Sequence, residues 1–339
     1  MTTFSLTRRG FLGASAATTV YLATGRPGSA SEMDFNFITP FSFSLSFGAV
    51  LYADAMGYYG AEGLNFHAQS GKGAALASQM VIAGQMHSGR TGGTNYILSR
   101  VENGAPLTSI ATIAQLSPFF VMSSAETPAT GVHDLTGRTV GMASLGGSME
   151  GTLDLMMLKG GLDPSEVNKV KVADTGASYA LIEAGRAGAF IGNTSSMIMA
   201  SAANSAVQSF AMDDGMPGQV YVARPEDIDA APDKYVAFLR ATHRAATEIA
   251  ALPEAELDPV LAKIGEKFDV SGLDVAETAR KDLYTNARNW VAKGEDNLLR
   301  NIPEVWEGAV EMLHEAGMIS QAVDPTTLYT NALLEQALA

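Results

Sequence analysis

The 339-residue chain contains no cysteine. That excludes disulfides, thiolate metal sites and a thiol nucleophile, and it removes the lipid-bearing cysteine that tethers many exported proteins to membranes. Basic residues are scarce as well: 22 Lys and Arg stand against 36 Asp and Glu, for a net charge of −14. A surface that tracks phosphates needs clustered Lys and Arg. No such cluster occurs beyond the N-terminus, so a nucleic-acid partner is not expected. The five histidines, at positions 67, 87, 133, 243 and 314, show no metal-ligand spacing. Gly71-Lys72-Gly73-Ala74 lacks the spacing and the hydroxyl residue of a phosphate-binding loop, and no Gly-x-Ser-x-Gly occurs. Metal, cofactor and catalytic residues are therefore all expected to be none. Asp213-Asp214 has no acid/base context and reads as solvated surface.

Apolar residues make up 47% and charged residues 17% of the chain, an ordinary globular balance. The length suffices for two domains, each with its own core. At the N-terminus, Thr7-Arg8-Arg9-Gly10-Phe11-Leu12 leads into an apolar run, 11–23, too short to span a bilayer. Gly28-Ser29-Ala30 supplies small residues for cleavage. Residues 1–30 thus resemble a twin-arginine signal peptide, which implies the twin-arginine export machinery as a partner. Their removal takes away Arg8, Arg9 and Arg26 and no acid, so the net charge moves from −14 to −17.

From Met33 short β-prone runs alternate with helical patterns, which predicts an α/β fold with largely parallel sheets. Strand-like runs cover 35–39, 64–68, 85–89, 106–114 and 119–123. After a turn-rich connector at 125–131, a second series places strands at 139–143, 167–172, 189–192 and 219–223, with a helix at 177–187. Everything beyond Pro225 reads as helix, at 233–251, 258–268, 275–291 and 303–316. Runs 119–123 and 219–223 sit at transitions between the series. If the C-terminal helices complete the first series, the chain crosses twice between lobes made of 33–122 plus 223–339 and of 123–222. Two crossings suit a clamshell that closes on a ligand; two sequential domains with one linker fit the pattern about as well.

Several segments carry a family resemblance. They are Ala55-Met56-Gly57-Tyr58-Tyr59-Gly60-Ala61-Glu62-Gly63-Leu64-Asn65, then Asp134-Leu135-Thr136-Gly137-Arg138-Thr139-Val140-Gly141, then Gly161-Leu162-Asp163-Pro164-Ser165-Glu166-Val167, with Val305-Trp306 and Ala316-Gly317-Met318-Ile319 near the end. In order and spacing these resemble the periplasmic substrate-binding proteins of ABC importers, in the branch that handles nitrate, sulfonates, taurine and thiamine pyrimidine precursors. The resemblance implies a two-lobed, type II-like clamshell with mostly parallel sheets flanked by helices. It implies capture of a small organic solute, anionic or aromatic, for an ABC permease in the inner membrane. It also implies a soluble periplasmic monomer without a lipid anchor, and not an enzyme. Alternatives are a pyrimidine-synthesis-like enzyme on the same fold and the ligand-binding component of a sensor system. The chain departs from the family at His87 and Gly188, where Asp is common.

Family sites are built from loops that follow strands at the cleft-facing edge, and three such loops stand out. In the first, Phe41 and Phe43 can pack on an organic ligand and Ser42 can hydrogen-bond it; the alternative is a loop leading into a helix, with its rings in the core. In the second, Arg90 offers a guanidinium fork for carboxylate or sulfonate, beside Thr91 and Gly92; a surface ion pair is the alternative. The third is the turn Ser144, Leu145, Gly146, Gly147, Ser148 between a strand and a helix N-terminus. There, free N–H groups and the helix dipole favour an anion; it could also be a plain turn. Thr194 is a fourth candidate.

Overall fold

Alternation within β1 (Met33–Thr39) sets the two faces of the first sheet. Phe35 and Phe37 enter one core and Ile38 the other, as a period of two requires. The computed structural model describes residues 33–143 and 145–339; the expected signal peptide at 1–30 and the candidate Ser144 lie outside the described residues. After β1 the chain runs through α1 (Gly48–Ala55), α2 (Tyr58–Ala61), β2 (Leu64–Ser70), α3 (Ala74–Ile82), β3 (Ser88–Gly92), α4 (Gly93–Val101) and β4 (Thr108–Ala114). It then crosses to β5 (Phe119–Ser124), β6 (Thr139–Met142), α5 (Ser148–Lys159), β7 (Asn168–Lys171), α6 (Ala180–Glu183), β8 (Ala189–Asn193), α7 (Thr194–Ala203) and β9 (Val207–Ala211). β10 (Gln219–Ala223) returns to the first sheet. It is followed by α8 (Pro225–Ala230), α9 (Pro232–Ala251), α10 (Asp258–Gly265), α11 (Ala276–Trp290), α12 (Pro303–Glu315) and α13 (Ala332–Leu338).

The first sheet has the order β2-β1-β3-β10-β4 and the second β7-β6-β8-β5-β9. Both are mixed. β10 runs antiparallel to β3 and β4, and β5 antiparallel to β8 and β9, while the other pairs are parallel. In each sheet the reversed strand is the one that arrives directly from the other sheet. The crossings are therefore 115–118 and 212–218, which puts β5 in the second sheet and β10 in the first. This pairing differs from the division expected at 122/123 and 222/223, because hydrogen-bonded neighbours, not a change in composition, decide which sheet a strand joins.

The C-terminal helices return to cover the first sheet. Phe238 on α9 stacks on Phe35 with ring centroids 4.6 Å apart, and Tyr59 on α2 stacks on Phe66 of β2 at 3.9 Å. Such rings bury large apolar areas in preferred geometry, so this stack anchors α2 and α9 to β1 and β2. Three local expectations shift. β3 begins at Ser88 and carries Arg90, Thr91 and Gly92 inside a strand, because β10 extends the ladder through them. The helix expected at 177–187 is a 3-10 turn, Gly176–Tyr179, plus the single turn of α6. β9 had no strand signal; it is a half-exposed edge that exists by pairing with β5. Among the described residues no helix is long and apolar enough to cross a membrane.

The two crossings touch. A Cβ on Gly218 would lie 1.9 Å from the carbonyl oxygen of Leu116, and the Gly93 N–H donates to the Pro217 carbonyl at 3.1 Å. Backbone cannot yield as a flexible side chain would. Gly218→Ala is therefore expected to cost about 2 kcal/mol or more in denaturant unfolding, from overpacking against backbone. A cost near zero would show that the crossings are not in contact.

Candidate functional site

The segment after β1, strand β3, the end of β8, the loop after β7, the first crossing and the first residues of β5 and β10 meet around a cavity of about 10 Å3, room for one water at most. Phe41, Phe47 and Phe119 form its apolar walls; Arg90, Asp174, Asn193 and Gln219 are its polar side chains. Register places Arg90 there, since it lies opposite Tyr221 in the β3–β10 ladder. Arg90 is 3% exposed. Its Nη1 donates to the Ser46 carbonyl at 2.5 Å, its Nε to Gln219 Oε1 at 3.3 Å, and its guanidinium lies 5.0 Å from the Phe47 ring centroid. Among the described residues no carboxylate pairs with it. Burial pushes its pKa down to about 10, which leaves it charged at neutral pH. A charge held out of water without a partner costs several kcal/mol.

Gln219 is buried too, and its Nε2 has no hydrogen-bond partner. Asp174 faces the cavity from the second sheet. Its Oδ1 accepts from the Asn193 N–H at 3.1 Å and the Ser196 hydroxyl at 2.6 Å, while Oδ2 is sealed from solvent with no partner. Burial pushes the Asp174 pKa up to about 6, opposed by those two bonds.

Around this cavity hydrogen bonds join the sheets' helices. The Gly92 N–H donates to Ser148 Oγ at 2.8 Å, and a Cβ on Gly92 would sit 2.6 Å from the Ser148 Cβ, so only glycine permits the approach. The Ser46 N–H and hydroxyl both meet Ser195 Oγ, at 3.2 and 2.9 Å, and the Ser195 hydroxyl donates to Asp282 Oδ1 at 2.8 Å. Asp214, expected on solvated surface, is instead 2% exposed. Its carboxylate accepts from Thr94 of α4 at 3.2 Å and Thr152 of α5 at 3.0 Å, so it pins both helices to the second crossing.

The structure disperses the candidates read from sequence. Phe41 and Arg90 line the cavity. Phe41 also packs against the core of the second sheet. Ser42 is exposed, and Phe43 turns away, edge-on to Phe268 at 5.4 Å. Thr91 is buried and accepts from Asn95. Gly92 and Ser148 bond each other across the sheets. Leu145 and Gly146 are exposed, and the Gly146 N–H is taken by the Glu150 carboxylate. Gly146 and Gly147 border an open outer groove of about 660 Å3 between α3, α4 and the start of α5. Thr194 is buried, with its hydroxyl on the Pro118 carbonyl at 3.3 Å. Asp174 and Gln219 escaped the sequence reading. The rule that sites follow strands would have reached Asp174, which lies just beyond β7; Gln219 opens a strand and carried no signal. His87 is tied into the first sheet: its Nδ1 accepts from the Asn36 N–H at 2.8 Å and its ring stacks on Phe35.

Burial pushes the Asp282 pKa up to about 7, opposed by bonds from Ser195 and Asn286. A carboxyl raised in the folded state stabilises the fold below its unfolded pKa, near 4, and loses that contribution as pH rises through about 7. The stability of wild type relative to Asp282→Asn is therefore expected to fall by about 2–4 kcal/mol between pH 4 and pH 8. A pH-independent difference would contradict this.

Solved structures share the architecture along nearly the whole chain. A protein of Bordetella bronchiseptica RB50 aligns with a TM-score of 0.74 at 18% identity, covering 91% of this chain and 97% of its own. The alkanesulfonate-binding protein SsuA of Xanthomonas axonopodis pv. citri, bound to MOPS, gives 0.64 at 10% identity, with coverage of 89% and 99%. The nitrate-binding protein NrtA of Synechocystis PCC 6803 gives 0.64 at 11% identity, with 91% and 88%. The desulfurization enzyme DszB also shares the fold, at 0.55 and 11% identity, with 90% and 99%. No curated protein matches the sequence. The fold is thus the two-lobed one of periplasmic solute-binding proteins, in the branch that the sequence resembles. The NMT1/THI5-like family model matches residues 44–256, well over half of the chain, and the chain belongs to that family.

Proposed function

We propose that the protein is an extracytoplasmic solute-binding protein that captures a small organic anion between its lobes for import by an ABC permease. The observation that carries this reading is Arg90, a charged guanidinium 3% exposed at the meeting of the two sheets, with no salt bridge to a carboxylate among the described residues. An anionic ligand supplies the missing counter-charge, in a place where low dielectric makes the pairing strong. Phe41, Phe47 and Phe119 offer apolar contact for the organic part. The cavity of about 10 Å3 requires the lobes to part for entry. The crossings 115–118 and 212–218 serve as the hinge, and contacts from both lobes then favour closure, the state a transporter reads.

Two structural relatives are named for binding anions, an alkanesulfonate and nitrate, which supports the same class here. The net charge of −14 is compatible with it, because salt screens surface charges beyond about 10 Å. Export through the twin-arginine route to the periplasm completes the reading and rests on Arg8, Arg9 and the apolar run after them. DszB supports the alternative of an enzyme only by sharing the fold.

The test is a thermal-shift panel on residues 31–339 with alkyl- and arylsulfonates, aromatic carboxylates, nitrate and pyrimidines. A bound anion at 100 times its Kd is expected to stabilise by about 2.7 kcal/mol. Arg90→Met is expected to abolish that shift and, without ligand, to be at least as stable as wild type, since it removes a buried unpaired charge. Equal stabilisation of both proteins by one neutral solute, or turnover of a panel member, would overturn the proposal.

A further inference from the structure

A hydroxyl of the second lobe is inserted between two groups of the first. Ser195, in the first turn of α7, accepts from the Ser46 N–H at 3.2 Å and meets the Ser46 hydroxyl at 2.9 Å. It donates its one hydrogen to Asp282 Oδ1 on α11 at 2.8 Å, so the Ser46 hydroxyl is the donor in the other contact. Asp282 is 2% exposed, and its other bond, from Asn286 Nδ2 at 2.7 Å, reaches the same oxygen. A carboxylate is held ionised in a protein interior by a cation or by several hydrogen-bond donors, backbone N–H groups above all. Among the described residues Asp282 has no cation and no N–H of the main chain, only a hydroxyl and a carboxamide.

The faces around it supply no charge. α7, β4 and the turn Leu45–Phe47 pack against α11 and contain no ionisable residue. Its other neighbours, α9, α10 and the turn Glu254–Glu256, are charged. There Arg240 is paired with Glu62, Arg244 with Glu248, Lys263 with Glu266, and Asp258 with Arg280 of α11 itself. Neither these groups, nor Asp233, Lys234, Tyr235, His243, Glu254 and Glu256, nor the remaining charges of α11 act on Asp282. Burial therefore pushes its pKa up to about 7, opposed only by the Ser195 and Asn286 bonds. Asp214, also buried at the seam, differs. Besides Thr94 and Thr152 it accepts from the Met216 N–H at 3.1 Å, a donor two residues away that lobe motion leaves in place.

We propose that closure of the lobes takes up a proton at Asp282, so that acid favours the closed state and rising pH favours the open one. This rests on the lobe closure in the proposed function and adds its regulation; the nature of the solute does not enter. As the lobes part, α7 withdraws Ser195 and water reaches Asp282, whose pKa returns to the ordinary range near 4. As they close, a proton passes from solvent to the carboxyl, because an ionised carboxylate in the dry seam without a cation is the costlier state. The closed form has the higher pKa. Its gain is full below about 4 and is lost as pH rises through about 7. Between pH 6 and pH 8 the equilibrium constant for closure is therefore expected to fall about tenfold. Ser46 joins this event to the cavity, since its carbonyl holds Arg90.

Because the chain has no cysteine, one introduced pair reads closure without any ligand. A Cβ on Gly151 of α5 would lie 3.8 Å from the Thr94 Cβ of α4, the spacing of a disulfide. In residues 31–339 carrying Thr94→Cys and Gly151→Cys, the lobes cross-link when closed. Cross-linking by diamide is timed at pH 6 and pH 8, with Asp282 present and with Asp282→Asn. The ratio of the two rates cancels the pH dependence of the thiols. It is expected to fall about tenfold from pH 6 to pH 8, and to do so equally when Asp174→Asn is added to both proteins. Small-angle X-ray scattering of unmodified residues 31–339 is expected to give a larger radius of gyration at pH 8 than at pH 6. A constant ratio overturns the proposal, as does an unchanged radius should Asp282→Asn fail to fold. Failure of every panel anion to bind, with the ratio still falling, overturns the anion reading and leaves proton-linked closure standing.

Discussion

A buried guanidinium that no carboxylate among the described residues pairs with lies at the seam of two sheets, and the surrounding structure keeps it from water. Arg90 is fixed by strand register and by the Ser46 carbonyl, and it is roofed by Phe47. Phe41 reaches from the first lobe into the core of the second and closes the side of the cavity. Dry surroundings make the charge expensive on its own and strong toward an anion, so in the proposed function one constraint links stability to recognition.

The lobes meet closely around this charge. Ser46–Ser195–Asp282, Gly92–Ser148 and Thr94–Asp214–Thr152 are hydrogen-bonded contacts at the seam, each of the size that contributes about 0.5–1.5 kcal/mol net. Contacts that small hold two lobes together without locking them, as the proposed opening and reclosing requires. The antiparallel strands β5 and β10 bring both crossings to the same place, so the cavity is lined by Pro118 of the first crossing and by Phe119 and Gln219, the residues that directly follow the two crossings.

Much of the fold was legible in the sequence, because alternation in 35–39 and the helical spacing beyond Pro225 express burial directly. β9 was not, since an edge strand with a half-exposed face has no apolar pattern to show. The site was legible only in part. Arg90 stood out as a scarce base among glycines, whereas Gln219 and Asp174 resemble any polar residue at the end of a strand. Asp214 looked solvated because its partners, Thr94 and Thr152, come from distant helices. The glycine turn misled in the other direction: Gly146 has its N–H satisfied locally by Glu150 and faces outward. A turn's chemistry says what it can bind, and only tertiary contacts say whether it is already occupied.

The central claim is that an anion completes Arg90. A crystal structure of residues 31–339 grown with the tightest-binding anion of the panel tests it most directly. The account predicts the acidic oxygens within hydrogen-bond distance of the Arg90 guanidinium and Gln219 Nε2, between Phe41 and Phe47. A ligand lodged in the outer groove beside Gly146 and Gly147, with Arg90 still unpaired, would contradict it.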